Sequence, residues 1–276
     1  MAEHWAAPHR SLAAGAYGAI VSARFRMTLQ YRGAALAQAA CQFWWGLSII
    51  MVWEAFYRSG TARQPMTLPE VITYVWLGQA MLSLIPWNVE SDIRDAIRSG
   101  AVVYELLRPL DLYWHWYVKT AATRLAFLAL RATPLFFIAG LCFHLGPPAS
   151  TASGAAWALS MVGAALLACA ISTLMAASHL WTIAGEGVEG LVVTLVLVFS
   201  GALVPLPFFP QWAQTALDFL PFRGLIDVPF RLYLGHLPPL AVFPLLAHQL
   251  AWTLALLLAG RGLLGRGLRR LVVQGG

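Results

Sequence analysis

Apolar residues in this chain come in long blocks separated by short polar or aromatic punctuation, and the blocks have helical rather than strand length. A run of about 20 apolar residues crosses a bilayer as a helix. On that basis six transmembrane helices are expected, over residues 33–56, 68–87, 113–145, 155–181, 190–206 and 240–264. Ahead of them, residues 11–32 are moderately apolar and carry Arg24, Arg26 and Arg32. Ile20, Phe25 and Leu29 fall near one helical stripe with the arginines mostly off it. That pattern predicts a helix lying in the membrane interface with its arginines toward lipid phosphate; a soluble cytoplasmic helix is the alternative. The first span ends in Trp53, Phe56 and Tyr57, residues that favour the headgroup level. Thr67 and Glu70 form a capping-box pattern before the second span, with Pro69 tolerated in its first turn.

Two segments break the rhythm. Residues 88–111 are the longest polar stretch and contain Glu90, Asp92, Arg94, Asp95, Arg98, Glu105 and Arg108. Residues 207–238 are aromatic and apolar, yet hold Pro207, Pro210, Pro221, Pro229 and Pro238, with Pro239 just beyond. Proline at that density prevents one continuous helix. Two short re-entrant helices, Gln211 to Phe219 and Gly224 to Leu234, are expected there, dipping into the outer leaflet where protein or a water-filled cavity covers them.

Composition agrees with the block pattern. Apolar residues make up 59% of 276 positions and charged residues 11%, against about 25% in a soluble domain. The mean hydropathy is +0.68. Six spans leave short loops and no room for a second soluble catalytic domain, so a single domain over 1–276 is expected. The net charge of +6 comes from scattered arginines and a single lysine, Lys119, which are the usual basic flanks of membrane spans; no nucleic-acid partner is expected. Cys41, Cys142 and Cys169 lie in apolar runs without metal-ligand or disulfide spacing. Glu3, His4, His9 and Arg10 interrupt the N-terminus, which does not read as a signal peptide.

Arginine counting orients the chain. With the N-terminus cytoplasmic, the inner segments hold Arg10, Arg24, Arg26, Arg32, Arg94, Arg98, Arg108, Lys119, Arg124, Arg261, Arg266, Arg269 and Arg270, whereas the outer segments hold Arg58, Arg63, Arg223 and Arg231. This positive-inside bias places both termini in the cytoplasm.

Enzymatic constellations are missing from the sequence: there is no H-E-x-x-H, no G-x-S-x-G and no metal-ligand cluster. His115, His144, His179 and His248 read as interfacial or packing residues. Lys119-Thr120 follows Tyr117 and Val118 rather than glycines, so no phosphate-cradling loop is present and any ATP must be hydrolysed by a partner. Within residues 91–110, Ile93 and Ile97 lie one turn apart among Asp92, Arg94, Asp95 and Arg98. Ser99-Gly100 then breaks the helix. Val102 with Leu106, and Val103 with Leu107, form further apolar pairs, closed by Arg108-Pro109; Asp111 can cap the third span. A short amphipathic helix tied to two spans suits docking in a groove on a soluble partner; a solvated loop is the alternative.

The stretch SDIRDAIRSGAVVYELLRPLDLYWHWYVKTAATRL resembles ABC-2 type permeases, in the branch of six-span bacterial export permeases, through Asp92, Ile93, Gly100, Tyr104 to Leu107, Arg108, Pro109 and Leu110. The later SGALVPLPFFPQWAQTALDFLPFRGLIDVPFRLYLG is similar to the same family's segment before its last span, including Pro205, Pro207, Phe208, Pro210, Leu220, Pro221, Phe222, Pro229 and Gly235. The resemblance implies a non-catalytic permease subunit in the bacterial inner membrane, pairing with a second permease chain and with ATPase subunits that carry ATP and magnesium. Residues 91–110 become its coupling region, with Asp92, Ile93, Arg94, Asp95, Ile97, Arg98, Val103, Leu106, Leu107 and Arg108 facing the ATPase, and residues 11–32 its elbow helix. Transport is then export of a hydrophobic or amphipathic cargo such as a drug or lipid.

Other polar and aromatic positions carry open alternatives. Glu186 and Glu189, one turn apart, form a cytoplasmic gate, touch the ATPase, or simply favour a helix N-terminus. Arg131 lies in the third span, either lining a substrate path or snorkelling and bonding structurally. Trp45, Trp76 and Phe199 line an apolar path or pack and face lipid, while Gln79 is polar inside a span. A membrane-embedded enzyme and a secondary transporter are the competing functions; the first lacks clustered catalytic residues and the second lacks an evident inverted repeat.

Overall fold

The structure is a computed structural model that describes residues 9–30, 32–60, 64–142, 145–182 and 185–269. Glu3, His4, Arg63, His144 and Arg270 lie outside the described residues. The described chain is helical and without strands: α1 (His9–Gln30), α2 (Arg32–Ser59), α3 (Leu68–Met81), α4 (Ser91–Arg98), α5 (Val102–Leu106), α6 (Leu112–Cys142), α7 (Thr151–Ser178), α8 (Glu186–Phe199), α9 (Gln211–Phe219), α10 (Asp227–Tyr233) and α11 (Val242–Leu268).

Four stretches are helical, long and apolar enough to cross a membrane: Leu36–Ser59, Leu112–Leu141, Thr151–Ser178 and Pro239–Leu268. They correspond to the first, third, fourth and sixth expected spans. The second and fifth are shorter than expected, because α3 and α8 have 14 residues each. At 1.5 Å per residue that is roughly 21 Å, short of a hydrocarbon core of about 30 Å. Each has a local reason to stop. After α3 the chain tightens into a 3-10 turn, Leu82–Leu84, and Ile85 is extended ahead of Pro86. After α8, Gly201 takes φ +89, and a Cβ there would meet the Tyr74 hydroxyl at 2.4 Å. Only glycine fits that turn.

The caps follow the sequence. The Glu70 carboxylate accepts from the Thr67 amide at 2.7 Å and from the Thr67 hydroxyl at 2.8 Å. Asp111 accepts from the Trp114 amide at 2.9 Å and starts α6, and Ser150 accepts from the Ser153 amide at 3.0 Å and starts α7.

Helix α7 is the centre of the bundle. Of its most apolar window 67% is buried, against 17–28% for the other three long helices. Its inward face is built from small residues (Ala156, Gly163, Ala164, Ala168, Ala170, Ala177), which let α11, α10 and α6 approach closely. Gln249 on α11, fully buried, donates to the Ser160 carbonyl at 3.1 Å and the Gly224 carbonyl at 2.7 Å, tying α7, α11 and the turn before α10 together. Helix α1 packs along α6, and α3 lies against both α2 and α6. Large apolar side chains point outward on α2 (Trp44, Met51, Val52), α6 (Phe137, Leu141) and α11 (Leu250, Leu254, Leu258). An outer surface of that kind needs lipid or protein around it. Between the last two long helices, α9 and α10 occupy the proline-rich segment, α10 being preceded by a 3-10 turn at Phe222–Leu225.

Candidate functional site

Residues 91–110 fold as α4 and α5 joined at Gly100, whose φ of +74 is the left-handed turn that splits the segment. The pair has an inner and an outer face. Ile93 and Val102 are fully buried, in a cluster with Val89, Leu112, Trp116, Met175 and Leu264 from the ends of α6, α7 and α11. Ile93, expected on a partner-facing surface, is therefore a core residue that seats α4 on its own chain. Ile97 and Val103 are half-buried. On the other side Tyr104 (73% exposed), Leu107 (78%) and Leu106 (45%) stand clear of the bundle, next to exposed Asp95 and Arg108.

Charge pairs join this unit to its surroundings. Asp92 takes Lys119 of α6 at 2.7 Å, and the Arg24 guanidinium of α1 reaches the same carboxylate oxygen. Burial raises the Asp92 carboxyl, but the bonds from Lys119 and Arg24 outweigh it and hold the group below the ordinary aspartate value. Arg94 donates to the Val89 carbonyl at 3.0 Å and lies 3.5 Å from Glu189. Arg98 bonds Glu186 at 2.6 Å and holds that carboxyl below its usual range. Glu189 is also 2.8 Å from His179 Nε2, though out of hydrogen-bond alignment. Trp116 Nε1 donates to Glu105 at 2.8 Å and pins α5 to α6, while Arg261 of α11 meets Asp111 at 2.7 Å. Glu186 and Glu189 thus face the arginines of α4. The sequence alone hid that link, since 88 and 95 residues separate the partners.

Lys119 and Arg124, counted with the loops, lie inside α6 with buried side chains. Arg124 donates to the carbonyls of Ser83 (3.2 Å), Leu84 (3.3 Å) and Ile85 (2.6 Å) and to the Ser172 hydroxyl (2.5 Å). It satisfies carbonyls of the 3-10 turn and of the extended residue that follow α3.

The residues expected on a substrate path are not gathered in one cavity. Trp45 is exposed on α2, and Trp76 is buried in α3 beside Phe43 at a ring separation of 5.7 Å. Gln79 is buried in a small cavity of about 30 Å³ with Tyr74, Trp53 and Gly201. Arg131 lies 4.3 Å over the Phe127 ring, with no acidic partner among the described residues, and Phe199 stacks on Phe222 at 6.3 Å. Among the described residues no group of His, Cys, Asp or Glu can hold a metal ion.

A family model described as ABC-2 family transporter protein matches residues 43–275. No curated protein and no solved structure matches the chain.

Proposed function

Because the chain belongs to the ABC-2 family of transporter proteins, we propose that it is the permease subunit of an exporter for hydrophobic or amphipathic compounds, driven by a separate ATPase that binds ATP and magnesium. In this reading the chain sits in a bacterial inner membrane, pairs with a second permease of the same or a related sequence, and crosses the bilayer six times. Helices α3 and α8 supply the two short crossings, α1 is the elbow, and α9 and α10 are the re-entrant pair.

One observation carries the proposal: α4–α5 is a unit with a buried, ion-paired inner face and an apolar outer face. The outer residues Tyr104, Leu106 and Leu107 have no use within the chain, and a groove on a soluble ATPase would cover them. The inner face holds α1 through Arg24, α6 through Lys119 and α8 through Glu186 and Glu189. ATP-driven closure of the ATPase pair would push α4 as a lever on three helices at once. Ile93 and Val102 act as seats of that lever, while Asp95, Arg108 and the exposed apolar residues form the docking surface. Glu186 and Glu189 act as its tethers. Trp45, Trp76, Gln79, Arg131 and Phe199 remain the proposed cargo-side residues, reached only in another conformation or across the permease dimer.

The test separates the two faces. Tyr104→Glu with Leu107→Glu should abolish copurification of the ATPase and ATP-dependent transport while leaving the unfolding midpoint of the purified permease unchanged. Ile93→Ala should instead destabilise the permease itself, by about 2–5 kcal/mol for a buried large-to-small change. An ATPase that stays bound to the double variant, or none that binds the wild-type chain, overturns the reading.

A further inference from the structure

A groove of about 460 Å³ opens on the flank of the bundle, lined by α6 from Ala121 to Leu128, by α7 from Trp157 to Cys169, and by Met81 and Leu84 at the end of α3. It is open rather than sealed: Leu125 and Val162, which line it, are 52% and 58% exposed. Small residues make the room, since Ala121, Ala158 and Ala165 stand where larger side chains would close it.

The lining presents almost no polar surface. Its one charged residue, Arg124, directs both Nη groups elsewhere, onto the carbonyls of Ser83, Leu84 and Ile85 and the Ser172 hydroxyl. The other side-chain nitrogens of the lining, Arg124 Nε and Trp157 Nε1, are fully buried and reach no occupant. A charged or hydrogen-bonding ligand would lose its water there and gain no partner. Water is no better served, because a cavity walled by apolar side chains stays dry. The occupant is hydrocarbon.

Depth and volume narrow the source. Both α6 and α7 are long and apolar enough to cross a membrane. At about 1.5 Å per residue they are roughly 46 Å and 42 Å long, and centred on a hydrocarbon core of about 30 Å they overhang it by roughly 6–8 Å at either end. The lining comes no closer than roughly 9 Å to any of these ends. The groove therefore opens within the hydrocarbon layer, where acyl chains surround it. A helix of a second permease is too wide: at about 10 Å across and 5.4 Å per turn, one turn alone takes roughly 420 Å³. Counting about 30 Å³ for each small heavy-atom unit, the groove instead takes about 15 carbons in line, the scale of one acyl chain.

We propose that the groove between α6 and α7 seats one acyl chain of a bilayer phospholipid, held against the end of α3. Packing on the surrounding walls distinguishes it from the bulk lipid around α11. The site requires that α6 and α7 lie in a bilayer. It draws on neither an ATPase nor the α4–α5 surface.

Photocrosslinking and native mass spectrometry of the purified full chain test it together. The protein is reconstituted in phosphatidylcholine vesicles whose lipid carries a diazirine at mid-chain, irradiated, and mapped by peptide. Adducts should concentrate on residues 121–128 and 157–169, well above the freely exposed α11 face at Leu250, Leu254 and Leu258. In detergent, native mass spectrometry should show one phospholipid held per chain, and added phosphatidylcholine should raise the unfolding midpoint. Ala165→Phe, which fills the groove, should abolish both the held lipid and that shift while keeping the size-exclusion profile. Ala121→Phe serves the same purpose if Ala165→Phe does not fold, and the adduct map of the wild type decides if neither does. A folded variant that still holds the lipid overturns the proposal, as do adducts spread evenly onto α11. A held species without the mass of a phospholipid assigns the groove to cargo and overturns it. Groove adducts confined to monomeric chains assign it to a second copy, with the same consequence.

Discussion

Arg124 donates to three consecutive carbonyls and a hydroxyl from the interior of α6, so a single side chain pins the turn that follows α3 to α6 and α7. Each buried polar group left unsatisfied costs about 1–3 kcal/mol. Arg124→Leu should therefore lower the unfolding midpoint of the purified permease sharply. Arg124→Lys should recover only part of the loss, because a point-like ammonium does not reproduce the planar fork of a guanidinium. Equal midpoints for the two variants would contradict the role given to the fork. Asp92 supports a pH prediction. Its carboxyl is held below the ordinary 3.8 by Lys119 and Arg24, so its stabilisation is complete above that value and is lost as pH falls through the lower folded value. The stability difference between wild type and Asp92→Asn should be flat from pH 7 to about 5 and shrink below about 3.8. A difference that shrinks already between pH 7 and 5 would assign the titration to another group.

At the scale of elements, α4 is held by pairs that neighbouring sequence does not reveal. The amphipathic pattern of residues 91–110 was legible, and so were the break at Gly100 and the caps at Thr67 and Asp111. Those are local signals, set by residues within one turn of each other. Which face turned inward was not legible, because Ile93 and Leu107 are equally apolar and only the packing of α6, α7 and α11 distinguishes them. The tether between α4 and α8 supports a charge-exchange experiment. Arg98→Glu should uncouple ATP hydrolysis from transport, and adding Glu186→Arg should restore it by rebuilding the pair with its signs reversed. Additive loss in the double variant would show that the two residues act separately.

At the scale of the whole molecule, four long helices surround and include the small-residue axis of α7, while α3 and α8 are short. The proposed topology is checked by membrane-impermeant thiol labelling in a background lacking Cys41, Cys142 and Cys169. Gln64→Cys and Pro147→Cys should label from outside intact cells, and Ser99→Cys only after permeabilisation. Labelling of Ser99→Cys in intact cells would invert the assignment. The sequence by itself determined that the chain is helical, apolar and suited to a bilayer. Hydropathy and helical period are properties of residues near one another in the chain, and so they survive without coordinates. It also marked residues 91–110 as a charged, amphipathic break between apolar blocks, through charge density and helical spacing. Only the tertiary structure decided that Glu186 and Glu189 belong with Arg98 and Arg94, that Arg124 holds the turn after α3, and that Asp227 and Arg231 line one cavity. The first two depend on distant segments meeting, and the third on the shape α9 and α10 leave between them, none of which is written in local sequence.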